Sequence, residues 1–179
     1  MNQRESLTLV IVEPSGDEAE QHAATLRNAG NPIRYELAPD LDSLAGQLDS
    51  EGPDIILCGD SGSLPGLDAV TTLLQEKSCQ APVIALSGNA TAEAVIAARQ
   101  HGAMDCIPYE PPLALQLAFA RCRETVQLRR QASSLDTALQ QSERRCRDLI
   151  ASSRDAIAYI HEGMHIHANH SYLKMFGLD

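Results

Sequence analysis

The sequence has no apolar run long enough to cross a membrane. Its longest apolar stretches, such as Leu7 to Val12 and Ile55 to Cys58, are strand-sized, whereas a spanning helix needs about 20 apolar residues. The N-terminal residues Asn2, Gln3, Arg4 and Glu5 are polar and lack the apolar core of a signal peptide. Closely spaced cysteines are missing too. The five present, Cys58, Cys79, Cys106, Cys122 and Cys146, are odd in number and scattered. That fits free thiols in a reducing cytoplasm better than a disulfide frame or a zinc site. Basic residues are scarce in the first two-thirds: residues 1–120 carry 17 acids against 5 Lys/Arg. Such a surface repels nucleic acid, so no nucleic-acid partner is expected there. From Leu113 to Ile150 there is neither Pro nor Gly, so no strong breaker interrupts a helix.

The 179 residues, 44% hydrophobic and 21% charged, suit one soluble globular domain plus a piece of another. Strand and helix signals alternate through the first half. Leu7–Val12 reads as a strand buried on both faces. Ser15 and Glu18 form a capping-box pattern for a helix to about Ala29, closed by Gly30. Ile33, Tyr35 and Leu37 alternate as a second strand, and Leu41, Leu44, Ala45 and Leu48 have helical spacing. Ile55–Cys58 is a third strand, followed by a helix through Val70, Leu73 and Leu74. Val83–Leu86, a helix over Thr91–Gln100, a short strand Asp105–Ile107 and a helix after Pro111-Pro112 complete the pattern. Five βα units predict an α/β fold, a doubly wound parallel sheet with helices on both faces. Its site is expected at the carboxyl ends of the strands, around Glu13, the segment after Cys58, Ser87 and the segment after Ile107.

With the strand ends placed, residues 7–125 resemble response-regulator receiver domains. The matches are Leu9-Val10-Ile11-Val12-Glu13, Pro53-Asp54-Ile55-Ile56-Leu57, Leu64-Pro65-Gly66-Leu67-Asp68, Ala81 through Ser87, and Gly102-Ala103-Met104-Asp105. The resemblance implies a site where an acid pair holds Mg²⁺, an Asp takes a phosphoryl group, and a Ser/Thr and a Lys read it out. That chemistry needs all four, because the metal and the cation offset the phosphoryl charge. This sequence departs from the pattern. Glu13 fills one acid position but is followed by Pro14. Counting on from Pro53 puts Gly59 at the acceptor position, with Asp60 one place later, and counting back from Leu64-Pro65 puts Ser61 there. Tyr109 or Glu110 stands where the Lys is expected, and Cys106 where the family often has an aromatic residue. Ser87 is retained. Glu13, Asp60 and Ser87 are therefore read as a vestigial phosphoacceptor pocket with no catalytic residue, metal or cofactor. A working acceptor at Asp60 is the alternative.

A helical linker is expected over residues 126–150. Leu128, Leu135, Ser142 and Leu149 fall seven apart, with Ala132, Leu139 and Cys146 taken as the intervening d-type positions. The apolar stripe, with Leu128, Leu135, Leu139 and Leu149 as its large residues, points to a parallel homodimer, packing back onto the first domain being the alternative. Arg121, Arg123, Arg129, Arg130, Arg144, Arg145 and Arg147 read as a solvated face, or as contacts for an anionic partner.

Residues 151–179 resemble the opening of a PAS domain. Glu143 to Ile157 is similar to its first helix and strand, His161 to Asn169 to its first hairpin, and Ser171 to Gly177 to its next helix. About a third of such a domain is present, so the chain is expected to be part of a longer protein. Receiver, helix and PAS in this order resemble the FimX class of cyclic-di-GMP signalling proteins. That resemblance implies downstream GGDEF and EAL domains and a link to type IV pilus motility. The expected role is a non-enzymatic cytoplasmic signalling module that binds a protein partner or itself, without membrane insertion.

Two motifs are set aside. His161-Glu162-Gly163-Met164-His165 matches a zinc-protease pattern, which works only on a helix, and Gly163 favours a strand–turn–strand here. Gly59-Asp60-Ser61-Gly62 echoes a serine-protease nucleophile sequence but lacks its partners and its β-barrel.

Overall fold

The computed structural model describes residues 6–50, 52–60 and 66–178. The chain divides into two compact units, residues 1–128 and 129–179.

In the first unit, five parallel strands alternate with helices. The elements are β1 (Leu7–Val12), α1 (Gly16–Asn28), β2 (Ile33–Ala38), α2 (Leu41–Leu48) and β3 (Ile55–Cys58). Then follow α3 (Leu67–Glu76), β4 (Val83–Ser87), α4 (Ala92–Gln100), β5 (Asp105–Pro108) and α5 (Pro112–Ser152). Helix starts follow their side-chain caps: the hydroxyls of Ser15 and Thr91 and the carboxylate of Asp40 accept from the amides of Glu18, Ala94 and Ser43. Gly30 and Gly102 adopt φ of +83° and +93° just beyond α1 and α4, a conformation glycine takes without a Cβ penalty.

The strands lie in the order β2-β1-β3-β4-β5. Alternation along β1 splits the core between two faces. Leu7, Leu9 and Ile11 pack with Leu26 of α1 and Phe119 of α5, while Val10 and Val12 pack with Leu44 of α2 and Val70 and Leu74 of α3. A smaller cluster joins Ala85 and Cys106 to Ala98 of α4. Both faces of the sheet are therefore covered, as its unbroken apolar strands require.

The second unit contains the last part of α5, the antiparallel pair β6 (Ala158–His161) and β7 (Met164–Ala168), and the short helix α6 (His170–Met175). Glu162 and Gly163 turn the hairpin with φ of +50° and +81°, the sign pattern of the tight turns that match strand twist. The zinc-protease pattern thus lies on a hairpin, and His161 and His165 are not one helical turn apart. The strand expected at Asp155–Ile157 begins later, at Ala158. Asn169 is the reason: its side chain takes the Asp155 carbonyl and the Ile157 amide, at 2.8 and 2.9 Å, and holds this segment as a turn.

Candidate functional site

The parallel sheet delivers four strand ends to one edge. Glu13 follows β1, Gly59 and Asp60 follow β3, Ser87 closes β4, and Tyr109 follows β5. The registers Val12 to Cys58 and Ser87 to Pro108 set these ends level. The sequence-predicted residues Glu13, Asp60 and Ser87 are brought together here.

Asp60 is held by three hydrogen bonds to two residues. Its Oδ1 accepts from the Tyr109 hydroxyl at 3.1 Å, and its Oδ2 accepts from the Gly88 amide at 2.9 Å. Its own amide donates to the Tyr109 oxygen at 3.1 Å. Partial burial works against ionisation of Asp60. Hydrogen bonding from Ser87, Gly88 and Tyr109 together outweighs it and holds the carboxyl below its ordinary range. Asp60 is therefore a carboxylate at neutral pH, with both oxygens engaged. Ser87 Oγ in turn accepts from the Asn89 amide at 3.3 Å, which orders the turn after β4.

Glu13 sits under different physics. It is fully buried, and neither carboxyl oxygen has a hydrogen-bond partner among the described residues. Burial first, then the charges of Glu18 and Asp60, push its pKa up to about 7. The Tyr109 hydroxyl pulls the other way, but its hydrogen bonds go to Asp60. The carboxyl group lies where a side chain at position 59 would begin: a Cβ on Gly59 would stand 1.9 Å from Glu13 Oε1 and 2.5 Å from Cδ. Gly59 and Glu13 are thus complementary, one lacking the atoms whose space the other occupies.

The surroundings are short of cations. Two cavities flank Asp60. One of about 440 Å³ is bounded by Gly59, Ser87, Ala97 and His101; the other, of about 430 Å³, is bounded by Glu18, His22, Tyr109 and Glu110. No Lys or Arg lies among the described residues lining either one. Of the two candidates for the family's Lys position, Tyr109 turns its hydroxyl to Asp60, while Glu110 borders the second cavity. His22 stacks against Tyr109, with ring centroids 5.9 Å apart, and burial lowers its pKa despite the nearby Glu18. Burial also pushes the Cys58 thiol up to about 12, so it is an unreactive thiol rather than a nucleophile.

Sequence reasoning placed Tyr109 only as the occupant of a missing Lys position. Its bond to Asp60 spans β4, which lies between β3 and β5 in the sheet, and such a reach depends on tertiary geometry. The Gly88 amide and His22 were missed for the same reason. Ser61 and Gly62 of the protease-like motif lie outside the described residues. Leu128, Leu135, Leu139 and Leu149 take no part in this site; they are exposed along α5.

The sequence matches no family model and no curated protein. Solved structures resemble it at the level of fold. The receiver domain of Francisella response regulator 1452 is 17% identical with a TM-score of 0.56, covering 68% of this chain and 98% of that one. The receiver domain of the response regulator NarL from Mycobacterium tuberculosis is 18% identical with a TM-score of 0.56, covering 67% and 98%. NtrX from Brucella abortus is 25% identical with a TM-score of 0.61; the match covers 73% of this chain but 29% of NtrX. The five-stranded parallel sheet, its helices and its edge of strand ends are those of a receiver-like α/β fold.

Proposed function

We propose that this chain is a non-catalytic signalling module, a receiver-type domain whose acceptor site is closed by its own side chains and which acts through protein contacts. The observation that carries this reading is the state of the two carboxyl groups. Phosphoryl transfer to a carboxylate needs a free oxygen nucleophile, acids to hold a divalent metal, and a cation for the transferred oxygens. Here each Asp60 oxygen already accepts a hydrogen bond, from Tyr109 and from Gly88, which weakens it as a nucleophile. Glu13, the other acid, is buried over Gly59 and protonates near neutrality. The cation is missing from the described residues lining the flanking cavities.

On this reading α5 carries information onward from the first unit to a PAS-type domain that begins in residues 151–179. In a longer cytoplasmic protein of the FimX class, that domain would lead to GGDEF and EAL segments and a cyclic-di-GMP output. The order of elements supports this reading: receiver fold, a helix of 41 residues, then a hairpin and a short helix.

The competing reading is a phosphorylatable switch using Asp60. Its ionised state at neutral pH favours that version. Intact-mass measurement after incubation with Mg²⁺ and a small phosphodonor separates the two. No adduct is expected; a stoichiometric gain of about 80 Da, one phosphoryl group, lost in Asp60→Ala, would establish the switch.

A further inference from the structure

We infer that the cavity between the sheet and α4 binds a small organic cation, an ammonium group carried on an apolar body the size of one ring. Its volume of about 440 Å³ lies within the range of small-molecule sites. The floor follows from strand register. Cys58 lies beside Ala85, and Ala85 beside Cys106, on three neighbouring parallel strands. Side chains in register share one face of a sheet, so three small residues form a row. The helix opposite adds no bulk. Ala98 is the buried residue of α4, and it joins a cluster of Ala85, Ala103 and Cys106, with Leu67 and Val95 partly buried against it. Elsewhere the sheet is covered by leucine, isoleucine, valine and phenylalanine side chains. Protein interiors leave few voids larger than a water molecule. Here alanine and cysteine stand where larger side chains would close one, and the space has room for a guest.

The lining selects the guest by charge. Asp60 and Asp68 both border the cavity, as does the exposed His101, and no Lys or Arg does among the described residues. Asp60 is a carboxylate at neutral pH. Each of its oxygens accepts one hydrogen bond and has capacity for a second, which an ammonium N–H supplies. The Asp68 carboxyl folds back to where a Cβ on Gly66 would stand, which keeps a second acid at the mouth. An anion would meet both acids without a Lys or Arg to offset them, on a region whose residues 1–120 carry a net −12. A neutral apolar molecule would cover the floor and leave Asp60 unanswered. A ring suits this floor because a rigid body loses little freedom on binding. The inference rests on the reading above in one respect: Asp60 stays unphosphorylated, since a phosphoryl group would occupy the same mouth.

The test is a nuclear magnetic resonance titration of the ¹⁵N-labelled 179-residue chain at pH 7. The probes are phenethylamine, phenethyl alcohol and phenylacetate, which share a ring and differ in charge. Phenethylamine should shift the amides of Ala85, Ala98 and Cys106 saturably, with a Kd at or below about 1 mM. The alcohol should bind at least about threefold more weakly, and phenylacetate more weakly still. Asp60→Asn should bring the amine down to the affinity of the alcohol and leave the alcohol unchanged. Cys106→Phe fills the floor and should abolish binding while circular dichroism shows the fold retained. Ala94→Leu plugs the same space from α4 and serves where Cys106→Phe does not fold. The inference is overturned if no saturable shift occurs, if the alcohol or phenylacetate binds as tightly as the amine, or if a folded plugged variant binds undiminished. Absence of binding would leave the signalling reading standing. A phosphoryl adduct at Asp60 would remove that reading, while the unmodified chain would still bind the amine.

Discussion

At the scale of single residues, the site turns on one carboxyl group that folding makes uncomfortable. Glu13 has a folded pKa of about 7 against an ordinary 4.5, so the native state holds a proton that the unfolded chain releases. Below about pH 4.5 both states are protonated and Glu13 costs nothing. Between there and pH 7 stability falls as pH rises, and above pH 7 the full penalty applies. A shift of this size corresponds to about 3 kcal/mol at most, with relaxation of the buried carboxyl reducing it. Glu13→Gln keeps the shape and removes the titration. Urea unfolding should find the variant more stable than the parent by about 1–3 kcal/mol at pH 8 and nearly equal at pH 4.5. His22, whose lowered pKa costs stability as pH falls, is common to both proteins and cancels in the difference. An unchanged gap across that pH range would show that Glu13 is already charged in the fold.

At the scale of elements, the sequence carried the strand and helix order because both signals are local. The unbroken apolar runs of β1 and β3, the capping residues Ser15 and Thr91, and the glycines after α1 and α4 each act within a few positions. Glu13, Asp60 and Ser87 were legible because the ends of parallel strands share one edge. The bond from Tyr109 to Asp60 and the fit of Glu13 over Gly59 were not, since both join residues separated by 46 or more positions through side-chain geometry. The late start of β6 has a similar origin in Asn169. That residue is buried, caps α6 through the Tyr172 amide at 2.9 Å, and ties the Ile150 carbonyl, the Asp155 carbonyl and the Ile157 amide together. Each bond contributes about 0.5–1.5 kcal/mol net, and buried groups left unpaired add to the loss. Asn169→Ala should therefore destabilise the second unit by roughly 2–4 kcal/mol. Hydrogen exchange is the sensitive readout. The Ile157 and Tyr172 amides should lose protection, while those of β1 and β3 keep theirs; uniform protection would mean that the hairpin and α6 stand without this tie.

At the scale of the whole molecule, the charge distribution sets conditions for stability and for partners. Residues 1–120 carry a net −12, and a compact state with that charge repels itself. Ion pairs such as Arg27 with Glu20 and Lys77 with Asp49 act against this, but both lie at exposed positions where such pairs are worth little. Salt screens both effects. The net repulsion runs over many charges and distances beyond the ~8–10 Å Debye length of physiological salt, so its relief should dominate. Raising sodium chloride from about 20 to 300 mM should therefore lift the thermal midpoint of the first unit by a few degrees, or about 1 kcal/mol. A midpoint that fell with salt would mean that local pairs outweigh the repulsion. The same field governs association. A partner that docks on this surface gains speed by being basic, and its on-rate should fall steeply with salt while its off-rate barely moves. A partner whose affinity held constant across the same salt series would therefore dock elsewhere than on this acidic surface.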